Sequence, residues 1–343
     1  MNKFNIWNKW DPLKVCMLGN SYAPEIFTGL PSGIEGPLKR ICEETLEDLD
    51  AFKTVLQDFG CKVIQPQVDH SIRLVDDRKK YRRAPLVPRD FQLILGNKAY
   101  SWNKDHPAIV ECLQDYGKLT ILPPFDTYDN TPTGAACFMI GKDVYHQPQV
   151  DTKMIPIYDH IFRNHRRNIV DIDKTHTDGC MHPLKPGAIL SIELESHYKS
   201  TFPDWDVCFL PADPWTNSIV EWKTLKHKNM GRFWVGGEEM NDEFTHYVNT
   251  WLDDWVGYVE ETVFDVNVLV LDEHNVCVSN MHNETVNAFL KKHKMEPVYV
   301  PWRHRFFWDG GLHCITLDLV REGTQQDYFP DRADHDIDHR HIE

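Results

Sequence analysis

Residues 56–66 read LQDFGCKVIQP, and residues 113–123 read LQDYGKLTILP. Each is the end of an amphipathic helix, then a turn, a short apolar strand and a proline. LKKHKMEPVYVP (290–301) is a looser copy, and FPDWDVCFLP (202–211) keeps the strand and the proline. The closing prolines stand at 66, 123, 211 and 301. Between these segments come strand–turn–strand signals: VCMLGN (15–20), FQLILGNKAY (91–100), CFMIGKDVYH (137–146), GAILSIEL (187–194) and VNVLVLDEHNVCVSN (266–280). LGNK, IGKD and LDEHN carry the Gly, Asn and Asp that tight hairpin turns require. The repeating unit therefore reads hairpin, helix, strand. A unit this small cannot bury its own apolar face, so several must pack together. The repeat predicts a closed ring of mixed α/β units. In the helical segment 43–60, Leu46, Leu49, Phe52, Val55, Leu56 and Phe59 follow helical spacing and form the expected apolar stripe.

The 343 residues are 41% hydrophobic and 26% charged, which suits a soluble globular chain. No Pro/Ser/Gly-rich linker divides it, so residues 1–330 are expected to form one domain. The tail 331–343 is polar, rich in Asp and His, and expected to be mobile; no metal-ligand spacing in it is complete. No apolar run is long enough to span a membrane. The N-terminal residues have neither a secretory nor a transit character, and a cytoplasmic location is expected. The net charge of −15 argues against a nucleic-acid partner. RKKYRR (78–83) is an isolated basic run, expected as a solvated loop. Nine scattered cysteines without a CxxC pair read as free thiols, most of them core residues.

Three motifs at putative strand ends can carry chemistry. In WDGGLHCITLDL (308–319), Gly310 and Gly311 give a flexible, close-approach lead into His313 and Cys314. In HTDGCMHP (176–183), His176 and Asp178 would share one wall if the segment is extended. In VPRDFQLILGN (87–97), Arg89 and Asp90 stand at a strand entrance. A thiol, an imidazole and two carboxylates can serve a cysteine protease, but no CGSCW-type signature is present and the cysteine comes last. Two carboxylates suit a planar guanidinium, whose forked N–H donors match them. His176 is the expected proton partner of Cys314, because neighbouring residues on a strand point apart.

The order PRD…HTDG…PGAILS…GGLHC resembles the amidinotransferases of the guanidino-group modifying superfamily, over roughly residues 5–328. The opening NKWDPLKVCMLGN is similar to their first strand and GGLHCITLDLVREGTQQDY to their last. The resemblance implies an α/β fold, a five-fold pseudosymmetric propeller of ββαβ-type repeats. It implies Cys314 as nucleophile, His176 as general acid and base, and Asp90 and Asp178 as the guanidinium clamp. Arg89, Arg305 and His313 complete the expected substrate-binding set. Amidino transfer from a guanidine donor to an amine acceptor would pass through an amidino-cysteine, with no metal and no organic cofactor. The alternatives are a guanidine hydrolase on the same scaffold and a weakened relative without activity. The partners expected are small molecules, and a homodimer is open. Two positions depart from the family's pattern. Its histidine-orienting Asp falls here on Thr133 or Gly134, with Asp126 or Asp129 as substitutes, and its substrate-carboxylate Arg falls on Glu195: either the donor is not arginine, or Arg303 or Arg305 supplies the clamp, or the substrate has a cationic tail.

Overall fold

A computed structural model describes residues 3–71, 73–74, 83–102, 106–122, 132–146, 155–169, 176–192, 198–210, 233–256, 265–333 and 337–338. Asp126, Asp129, Glu195 and most of the basic run at 78–83 lie outside them. The described elements repeat one pattern. Strand β1 (Leu13–Leu18) leads through the helix Ser32–Asp58 to β2 (Lys62–Ile64), which pairs parallel to β1. Next, β3 (Gln92–Leu95) and β4 (Lys98–Trp102) form an antiparallel hairpin; the helix Pro107–Tyr116 then brings β5 (Leu119–Leu122) back parallel to β4. The third unit runs β6 (Cys137–Ile140), β7 (Asp143–His146), helix Ile155–Phe162, β8 (Arg166–Ile169). The fourth runs β9 (Met181–Lys185), β10 (Ala188–Ser191), helix Tyr198–Thr201, β11 (Asp206–Phe209). The fifth runs β12 (Leu269–Val270), β13 (Asn275–Val278), helix Glu284–Lys292, β14 (Glu296–Tyr299).

The first unit lacks a leading strand of its own. β15 (Thr316–Arg321) supplies it, antiparallel to β1 with Leu18 opposite Thr316 and Leu13 opposite Arg321. The chain thus closes a ring of five ββαβ blades, an α/β propeller. The turns say why the blades recur. Gly96, Gly141 and Gly187 occupy equivalent hairpin turns with φ of +56°, +61° and +87°, a region other residues enter at a cost. In the fifth blade the Asp272 carboxylate does the same work by accepting from the backbone N–H groups of His274 and Asn275.

Burial falls across each blade. β3 and β6 are wholly buried, whereas β5, β11 and β14 are largely open to solvent. β8 is the exception, and the tail explains it. A two-residue strand β16 (Ile337–Asp338) pairs parallel along its outer edge. Arg332 sits among Asp143, Tyr145 and Asn168, bonded to each and to the carbonyl of Thr201. The first residues of the tail thus contact the third blade through a half-buried guanidinium that gives each acceptor a charged donor. The long helix also differs from the expected stripe. It begins at Ser32, with Pro37 inside its early turns, and buries Ile34, Leu38, Ile41, Leu49, Phe52 and Leu56, while Phe59 is exposed.

At the ring's closure Arg321 bonds the Asp318 carboxylate (2.8 Å) and the carbonyls of Asp11 and Val270 (2.7 Å each), all with its side chain buried. Arg321→Met would strip the guanidinium from the Asp11 and Val270 carbonyls and leave buried Asp318 with Arg89 as its one remaining guanidinium partner among the described residues. It is expected to destabilise the fold by about 3–5 kcal/mol, read as a lower midpoint in urea unfolding.

Candidate active site

Four of the five blades place a chemistry-bearing group just before their leading strand. Asp90 closes the single 3-10 turn Pro88–Asp90 ahead of β3. His176 and Asp178 flank the start of the short helix Thr177–Cys180 ahead of β9. Asn267 precedes β12, and Cys314 ends its turn two residues before β15. The helix at 177–180 means that His176 and Asp178 are not an extended i, i+2 pair. His176 stands at its N-cap position, with a side chain 36% exposed, and its Nδ1 lies 4.0 Å from Asp90 Oδ1. Asp178 is buried, its Oδ2 3.6 Å from Cys314 Sγ. Distant stretches thus bring the thiol, the imidazole and both carboxylates together.

Both acids are unusual. Asp90 Oδ1 and Asp178 Oδ1 are buried and have no hydrogen-bond partner. Burial pushes Asp90 above the usual carboxylate range, against the pull of His176, Arg83 and Arg89. Burial also pushes Asp178 up, to about 6, with the Asp90 charge adding to it. The Cys314 thiol is driven well up by burial and then by the Asp178 and Asp90 charges. The resting site therefore holds a neutral thiol beside two under-solvated carboxylates. A cation entering between those groups would relieve all three at once.

Asn267 carries no motif, yet it holds the nucleophile. Its Oδ1 accepts from the backbone N–H groups of His313 (3.0 Å) and Cys314 (3.1 Å); its Nδ2 donates to Cys314 Sγ (3.1 Å) and to the Asp178 carbonyl (3.1 Å). A polar residue opening an otherwise apolar strand run, VNVLVL, was the signal available for it. It also explains Gly311. A Cβ there would lie 2.5 Å from Asn267 Oδ1, so the glycine serves close approach.

Other expected residues take different places. Arg89 does not face a substrate. Its Nε donates to the carbonyls of His313 (2.7 Å) and Thr316 (2.9 Å), and its Nη2 pairs with Asp318 (2.8 Å), so it staples the Cys314 turn from behind. His313 is buried under Asp178, Nδ1 to Oδ2 2.7 Å, and stacks edge-on against His182. Arg305 lies over the Phe306 ring in the field of Asp265. Arg303 is committed to Glu44, Glu47 and Asp48. At the blade-three position Thr133 caps its own turn, its hydroxyl accepting from the Ala136 N–H, and Gly134 packs against Arg89. Arg83, from the basic run, is close enough to pull on Asp90, and its Nε and Nη2 are buried without a hydrogen-bond partner. No group of three or more His, Cys, Asp or Glu side chains among the described residues could hold a metal ion.

Five ββαβ blades make the α/β-propeller fold that this chain shares with solved amidinotransferases and an agmatine deiminase. In sequence it resembles amidinotransferases. It is 23% identical to the mitochondrial glycine amidinotransferase of Xenopus tropicalis, over 94% of this chain and 84% of the relative. It superposes on an amidinotransferase of the saxitoxin biosynthetic pathway from Microseira wollei with a TM-score of 0.65 at 19% identity, covering 95% of this chain and all of the other. An agmatine deiminase from C. jejuni shares the fold at a TM-score of 0.57 and 14% identity, covering 94% of this chain and 97% of the other. No family model matches the chain.

Asn267→Ala would strip two backbone donors and the thiol of their partner. It is expected to cost about 1–3 kcal/mol of stability and to slow iodoacetamide labelling of Cys314 at least about tenfold. Asp178 has the opposite sign. Because its folded pKa is raised, ionising it costs stability as pH climbs from the unfolded value to about 6, and that cost persists above. Asp178→Asn should therefore raise the melting temperature at neutral pH while removing half of the carboxylate pair.

Proposed function

We propose that the protein is an amidinotransferase, moving the amidino group of a guanidine donor to an amine acceptor through an amidino-cysteine on Cys314. The observation that carries this reading is the pair of buried carboxylate oxygens, on Asp90 and Asp178, left without donors beside a thiol. A guanidinium offers forked donors to both and cancels the charge that keeps the thiol protonated. Cys314 Sγ then attacks the guanidino carbon, its proton passing to His176. The C–S bond forms, the C–N bond breaks, and His176 returns the proton to the departing amine. In the second half the acceptor amine attacks the amidino carbon and gives its proton to His176, the C–S bond breaks, and His176 returns that proton to the departing Cys314 sulfur. Both halves balance with side chains alone.

The donor in this reading bears a carboxylate. Arg303 is already paired, whereas Arg83 brings unpartnered guanidinium nitrogens to the neighbourhood of Asp90. Two buried guanidinium nitrogens without an acceptor are costly, and a substrate carboxylate would supply one.

The test is intact-protein mass spectrometry after exposure to arginine. One amidino group should appear on the wild type and be absent from Cys314→Ala; no adduct on the wild type at any pH would overturn the reading. Ornithine release that depends on added glycine supports transfer, and citrulline formed without an acceptor would replace it with hydrolysis. Arg83→Gln should raise KM for arginine about tenfold or more and leave KM for agmatine, which lacks the carboxylate, nearly unchanged. Guanidine affinity should fall about tenfold per pH unit below about 6, as Asp178 takes up its proton.

A further inference from the structure

Behind the site, Lys9 lies in the protein interior, 6% exposed. Its Nζ is 3.2 Å from His313 Nε2, and His313 Nδ1 is 2.7 Å from Asp178 Oδ2, whose carboxylate touches Cys314. The four residues form an unbroken polar chain from the buried lysine to the thiol. Neither half of the proposed reaction uses Lys9 or His313.

From this geometry we infer that Lys9 is a positioning residue: acting through the His313 ring, its ammonium holds Asp178 as the carboxylate that grips the guanidinium. The inference rests on the amidinotransferase reading and adds to it. A charged lysine has only protons to give. It must donate to Nε2, so the neutral ring carries its proton on Nδ1 and presents it to Asp178. Burial, with Arg89, Lys9 and His182 beside it, keeps the His313 ring neutral. Reversing the ring would aim a bare lone pair at the carboxylate and force a proton onto it.

The other charges around the chain do not substitute for Lys9. Asp178 also feels His176, Asp90 and Arg89, with the Cys314 thiol against it. His313 feels Arg89, His182 and Arg321 besides Lys9. Lys9 feels Arg89, Asp318, Arg321 and Asp178. Arg89 and Arg321 are both spent on Asp318, and buried His182 is held neutral. Lys9 alone of the cations bonds the His313 ring among the described residues. Burial and Arg89 lower it to about 7, so it stays largely charged across the range in which Asp178, at about 6, loses its proton.

The experiment follows the rate of Cys314 amidination by arginine from about pH 5 to about pH 9 in the full chain. Wild type is compared with Lys9→Gln, which keeps a donor but not the charge, and Lys9→Met, which keeps neither. The acid limb should move up by about one pH unit in Lys9→Gln, a loss of about fivefold near pH 6 that approaches about tenfold near pH 5, and further in Lys9→Met. Rates above about pH 8 should converge for Lys9→Gln. Limbs that superimpose on the wild type in folded variants would overturn the inference and leave the amidinotransferase reading standing. Absence of any adduct on the wild type would instead sink that reading. Should both variants fail to fold, the nitrogen-15 shifts of His313 in the wild type decide. A proton on Nδ1 with a bare Nε2 is the expected pattern, and a proton on Nε2 overturns the inference.

Discussion

The Asp318 carboxylate is the pin on which the ring turns. It is fully buried between the guanidinium groups of Arg89 and Arg321, at 2.8 Å from each. Burial alone would make it a weak acid; Arg321, Arg89 and Lys9 outweigh burial and hold it far below the usual carboxylate range. Arg321 reaches from there to the carbonyls of Asp11 and Val270, and Arg89 reaches to the turn that carries Cys314. One anion thereby fixes the first blade to the second and the fifth. A buried ion pair adds little net stability compared with apolar packing, so its service here lies in register. It defines which way each blade entrance faces, and the entrances are where the reacting groups stand.

The site runs against the energetic preferences of the fold around it. Two carboxylates are kept dry with an oxygen each unpaired, and a thiol is kept beside them. Left to packing, such positions would hold amides or hydrocarbons. Their retention makes sense when the missing partner is a ligand, because affinity then comes from discharging a strain the protein already carries. The support behind the site is, by contrast, well satisfied. Asn267 bonds through both ends of its amide, and Arg89 bonds two carbonyls and a carboxylate.

Much of this was legible in the residues. The strand-and-proline endings at 66, 123, 211 and 301 mark β2, β5, β11 and β14. In the third blade the hairpin at 137–146 was legible but the closing strand was not, because β8 reads RRNI, with two arginines in a row and no proline ending of the repeated kind. Those arginines are affordable only because Asp143, Asp159, Asp327 and the β16 edge receive them. The roles of Arg89 and His313 were hidden for a related reason. Local sequence shows a charged side chain at a strand entrance, but the partner that decides its direction, Asp318, lies 229 residues further on. Asn267 is a single amide in an apolar run, and only the approach of Gly311 reveals what it grips.

The pairing of β1 with β15 joins segments roughly three hundred residues apart. A chain emerging from the ribosome therefore exposes an unfinished first blade until β15 has been made. Contacts of such long separation delay folding, since loop entropy must be met before they stabilise anything. The strand that completes the barrier to solvent is also the one that delivers the sulfur. An incomplete polypeptide thus has neither a sealed hydrophobic interior nor a reactive centre, and maturation of shape and of chemistry become a single late event.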